Sequence, residues 1–104
     1  MTAKYRELYF EHGFNEQDAY EAQMRGYRSH VWVVLEDDSS HPVTFFDMNR
    51  LAQELTAEAS EGRPFVTEPG LIVVLEVTMA NMEGAARRLA QEGFFEQRRL
   101  ERDP

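Results

Sequence analysis

The stretch VWVVLEDDSSHPVTFFD, residues 31–47, reads as a β-hairpin that runs into a helix cap. Val31 to Leu35 is a continuous apolar run rich in β-branched residues, Asp37, Asp38, Ser39, Ser40, His41 and Pro42 are turn formers, and Val43 to Asp47 returns as the second strand. With the turn centred near Ser39, antiparallel pairing sets Trp32 opposite Phe46, Val33 opposite Phe45 and Val34 opposite Thr44. Both faces of such a sheet carry large apolar groups, so both need cover. The two later helices cover one face. The other, with Trp32, Val34, Phe46, Ile72 and Val74, calls for the N-terminal helices or a second copy of the chain.

Beyond the hairpin, Asp47 is placed to cap a helix with an apolar face of Met48, Leu51, Ala52, Leu55 and Ala59, ended by Gly62 and Pro64. A loop through Phe65 and Pro69 reaches a third strand, Leu71 to Val77. Thr78 then caps a helix carrying Met82, Ala85, Ala86 and Leu89, closed by Gly93. Before the hairpin, Phe14 and Asn15 read as staple and N-cap, with Asp18 completing a capping box, for a helix that ends at Gly26 and buries Tyr20, Met24 and Tyr27. Residues 3–12 read as a helix with Tyr5, Leu8, Tyr9 and His12 on one face, although the same residues also alternate as a strand. Glycine directly precedes an aromatic at Gly13 and Phe14, Gly26 and Tyr27, and Gly93 and Phe94. This is the spacing of a left-handed C-cap, which makes Phe14, Tyr27 and Phe94 core positions.

These parts assemble into an α+β domain over residues 1–104. It has a small three-stranded sheet, the hairpin first and a helix crossover to the third strand, packed by about four helices in two layers or a sandwich. The C-terminal tail frays from about residue 97. Hydrophobic residues make up 42% of the chain, enough to close a core. The absence of cysteine excludes disulfides and thiol chemistry, and fits a cytoplasmic home. No run approaches a membrane span. The net charge of -8 lies entirely before residue 81, where it disfavours nucleic acid and favours a basic protein partner.

Candidate chemistry is sparse. No cofactor is expected, since Gly13, Gly26, Gly62 and Gly93 each follow a helix where a phosphate-binding loop needs a glycine before it, and Lys4 is the sole lysine. No metal is expected either, because the hairpin holds His30 and His41 at opposite ends. The same register brings His30 beside Asp47, the beginning of a general-base pair, while the pleat sends the adjacent Ser29 to the opposite face. Glu36 and Glu76 end two identical Val-Val-Leu-Glu strings and would share a sheet face. Asp37, Asp38 and His41 form an acidic turn suited to a basic partner. The expectation is a non-catalytic protein-binding or regulatory module, with self-association through the Trp32 and Phe46 face as one use of its surface. The alternative is a small enzyme or ligand-binding protein with a pocket between sheet and helices that uses His30 and Asp47.

Overall fold

The computed structural model describes residues 2–96. In chain order the elements are β1 (Tyr5–Phe10), α1 (Glu16–Arg25), β2 (Tyr27–Leu35), β3 (Ser40–Phe46), α2 (Met48–Ser60), β4 (Leu71–Val73) and α3 (Met79–Gln91), and residues 94–96 are helical again. The fold is α+β, but among the described residues the sheet has four strands and not three. Its order is β1-β2-β3-β4, with the first two pairings antiparallel and the last parallel.

The fourth strand is β1, where the helical reading of residues 3–12 gives way. Leu8 and Phe10 are buried while Arg6, Glu7 and Tyr9 are exposed, an alternation of period two that a helix cannot make. Gly13 accordingly ends a strand and not a helix. Its N–H closes a turn onto the Phe10 carbonyl at 3.0 Å. Arg28 ties this connection down, since its guanidinium lies over the Phe10 and Phe14 rings and donates to the Gly13 carbonyl at 3.0 Å.

The hairpin register also differs from the sequence expectation. Trp32 pairs with Pro42, Val33 with His41 and Val34 with Ser40, and Phe46 pairs with Tyr27. The cause is the turn. Asp38 adopts a left-handed φ of 67° and donates to the Leu35 carbonyl, while Leu35 donates to Ser39. That closes a three-residue loop at 36–38, the type that places one residue in the left-handed region. Asp37 supports it by accepting from the Ser39 backbone and hydroxyl. The tighter turn lengthens β2 back to Tyr27.

One face of the sheet holds the core. Leu8, Phe10, Val31, Val33, Leu35, Val43 and Phe45 pack beneath Met82, Ala86 and Ala90, which recur every four residues along α3, and beneath Ala22, Val77 and Phe95. Ile72 and Val74 join this face and not the Trp32 face. On the opposite face Phe46 is only 1% exposed, and its ring packs against Tyr27, over which Arg50 of α2 lies at 4.5 Å. Phe46 is therefore covered within the chain, and the Trp32–Phe46 docking face reduces to a half-buried Trp32 beside Tyr9. The tail expected to fray from residue 97 lies outside the described residues.

Tyr5 links β1 to α3 through a 3.1 Å hydrogen bond donated to Glu83. Burial first, then the bond to Glu83 and its charge, push the phenol from its ordinary 10.0 up to about 12. A folded pKa above the unfolded one means stability that is fully present below about pH 10 and lost as pH rises toward 12. Tyr5→Phe is expected to flatten the fall of melting temperature across that alkaline window. An unchanged slope would assign the alkaline loss to other groups.

Candidate functional site

The candidate residues from the sequence do not converge. Asp47 is the N-cap of α2, accepting from the Arg50 N–H at 2.8 Å, and its own N–H donates to the Gly26 carbonyl. His30 is displaced from it by a bulge. Between the Arg28–Phe45 and Val31–Val43 pairs, Ser29 and His30 both oppose Thr44, and His30 takes a left-handed φ of 59°. The expected pairing of His30 with Asp47 is absent.

The bulge also overturns the expectation that Ser29 and His30 face apart. The Ser29 hydroxyl lies 2.9 Å from His30 Nδ1 and 2.9 Å from the Tyr27 hydroxyl. A hydroxyl beside an imidazole is the start of a nucleophile and base pair. Among the described residues, however, no carboxylate orients the ring's other nitrogen, and His30 is exposed. The arrangement satisfies three side chains at a bulge without completing a catalytic set.

Glu36 and Glu76 are likewise apart. Glu36 borders a depression with Lys4 and Arg87, whereas Glu76 borders a groove with α1 and α2. Asp37, Asp38 and His41 do share the β2–β3 hairpin, but each has local work there. Asp38 pairs with Arg6 at 2.7 Å, and the His41 ring packs at a tilt against Phe95 and lies 2.9 Å from the Ser39 hydroxyl. Among the described residues no group of three or more His, Asp and Glu could hold a metal, and no helix is long and apolar enough to cross a membrane.

What the structure does assemble is the groove that Glu76 borders, of about 750 Å³, between the second half of α1 and the first turns of α2. Tyr20 and Met24 from α1, Met48 from α2 and Leu75 from the segment after β4 line it, at 63%, 68%, 63% and 87% exposure. Sequence periodicity marks the first three as core, and the structure corrects this. Only Ala22 is buried on α1, and α2 has no buried residue. Gln23 bridges the groove's far end with a 3.2 Å bond to Glu76.

Comparison with protein-family models, curated proteins and solved structures finds no match for this chain.

The charges of the groove are unequal in a way the sequence does not reveal. Arg25 is paired with Glu21 at 3.4 Å, and the buried Nε of Arg50 faces Glu54 at 3.2 Å, off the line of a hydrogen bond but within charge attraction. Asp47 and Glu76 have no cationic partner among the described residues. The groove thus offers four open apolar side chains and two uncompensated carboxylates.

Proposed function

We propose that this chain is a non-catalytic protein-binding module that docks a basic partner in the groove between α1 and α2. The observation that carries the reading is the exposure of Tyr20, Met24, Met48 and Leu75 in one concave site. Single exposed apolar residues are ordinary, but four large ones lining a groove mark a binding surface. Methionine suits such a wall, because its unbranched, polarizable side chain reshapes around a partner.

The second support is α2 itself. A helix of 13 residues is marginal in water unless an apolar face is packed, and this one buries no residue although it carries Met48, Leu51 and Leu55. It is held by its Asp47 cap at one end and by Gly62 at the other, where the Gly62 N–H donates to the Ala59 carbonyl. Of its apolar residues Met48 lines the groove, and a partner there would pack against the first turns of the helix. The charge of -8 would steer a basic partner toward it, and Asp37 and Asp38 would contribute to that field from the hairpin turn without belonging to the docking site.

The test is affinity capture with the intact chain beside Met24→Glu, Leu75→Glu and Asp37→Asn/Asp38→Asn variants. Basic proteins retained by the wild type are expected to be lost on both groove variants and released by salt, with the hairpin variant weakened only modestly. Recovery of the same set by the groove variants, or capture indifferent to salt, would sink the proposal.

A further inference from the structure

We infer that the occupant of the groove is an amphipathic α-helix that carries lysine or arginine beside its apolar stripe. This rests on the reading of the chain as a protein-binding module and names the partner's form. The walls decide it. They are mostly side chains of two helices, α1 and α2, whose interior backbone groups are spent on their own ladders, so that open backbone groups are confined to the last turn of α1, the first turn of α2 and the stretch after β4 ends at Val73. An extended segment would enter with unpaired N–H and C=O groups and find few backbone partners, whereas a helix brings its backbone already satisfied. The lining has the matching rhythm. Tyr20 and Met24 are four residues apart on α1 and present one ridge, against which a helix sets anchors at i, i+3 or i+4, and i+7.

Charge selects the rest of the occupant. Arg25 and Arg50 are paired with their own helix neighbours, so among the described residues the unanswered charges of the groove are the carboxylates of Asp47 and Glu76. Of these, Asp47 is committed to the α2 cap, which leaves Glu76 as the contact for a partner cation at the end of the stripe. The same carboxylates argue against a second copy of this chain. A two-fold contact would set equal patches face to face, enclosing the carboxylates of both copies in one interface between molecules that each carry a charge of -8.

The experiment is a binding titration of the full chain with labelled peptide probes, read by fluorescence anisotropy at low and high salt. The probes are a helical Leu/Lys peptide with leucine at i, i+4 and i+7, a Leu/Glu peptide of the same pattern, an Ala/Lys peptide of the same charge, and the Leu/Lys sequence broken by central prolines. The Leu/Lys helix is expected to bind tightest. Leu75→Glu or Met24→Glu should weaken it about tenfold or more, the effect of losing one anchor, and Glu76→Gln several-fold with a shallower salt dependence. Both groove side chains are exposed, so unchanged melting temperatures should confirm that these variants stay folded. Equal binding of the proline-broken peptide would overturn the helical form while leaving the docking reading in place. Equal binding of the Ala/Lys peptide would overturn apolar anchoring. A dimer in sedimentation that Leu75→Glu dissolves would assign the groove to a second copy and overturn the inference. Binding by none of the probes, without a dimer, would remove both the inference and the reading beneath it.

Discussion

Phe95→Ala is expected to destabilise the protein by about 3–5 kcal/mol, the cost of emptying a fully enclosed aromatic site. For a chain of this size that corresponds to a fall in melting temperature of roughly 15–30 °C. Phe95 is 0% exposed, although it lies beyond the end of α3, among the helical residues 94–96. Its ring lies tilted against His41 of β3 with centroids 4.9 Å apart and meets Phe94 edge-on at 5.2 Å. The neighbouring Glu96 reaches across to accept from the Ala3 N–H at 2.9 Å, so these residues fasten the chain start and the β2–β3 hairpin to the end of α3. The removed ring therefore takes with it the contact that holds three separate segments together. Thermal and denaturant unfolding measure the effect, with Leu75→Ala as a control of similar apolarity and almost no burial. A loss below about 1 kcal/mol for Phe95→Ala would show that the site collapses around the vacancy or was never closed.

Phe95 also shows where local sequence rules stop. The glycine and aromatic rule marks Phe94, and Phe94 does pack against the core, but the fully buried ring is the next residue. A left-handed glycine reverses the chain, and which of the following side chains points inward depends on the sheet lying below. The N-cap signals are legible in the sequence because they are local, whereas the glycine stop at Gly13 closes a strand. Asn15, Asp47 and Thr78 each accept from the N–H three residues on, and Asn15 with Asp18 completes the capping box. The hairpin register is not legible, since it turns on the single left-handed Asp38 among several good turn formers.

The groove was hidden for a related reason. Val-Val-Leu-Glu occurs at 33–36 and again at 73–76, yet Leu35 is 0% exposed and Leu75 is 87% exposed. The first copy runs between β1 and β3. The second lies on the edge strand, which leaves the sheet after Val73 and so exposes what an inner strand would bury. Likewise Tyr20, Met24 and Met48 have the spacing of core residues, and periodicity reports an apolar face without saying whether the chain itself covers it. The acidic bias was legible from composition, but the lack of a counter-charge at Asp47 and Glu76 among the described residues depends on which arginines are already paired, a property of the folded helices.

Gly26→Ala is expected to cost about 2–4 kcal/mol, more than the same change at Gly13, because two penalties coincide. Gly26 ends α1 at φ 68°, a conformation that costs a residue with a Cβ about 1–2 kcal/mol. Gly13 has φ 79° but open space around it, so Gly13→Ala bears that first penalty alone. At Gly26 the added Cβ would collide with the Asp47 carboxylate, which sits there because it caps α2. Displacing it forfeits the cap, worth about 0.5–2 kcal/mol. A double-mutant cycle isolates this coupling. Since Asp47→Ala removes both the cap and the colliding group, Gly26→Ala/Asp47→Ala should be more stable than the sum of the single losses predicts, by about the cost of the cap. Strict additivity would mean that the carboxylate does not occupy the space above Gly26. The contact matters beyond stability, because α1 ends and α2 begins at this point, with the Asp47 N–H bonded to the Gly26 carbonyl at 2.9 Å. The two walls of the groove are hinged on one glycine and one carboxylate, so Gly26→Ala should weaken capture of a helical probe even under conditions where the protein remains fully folded.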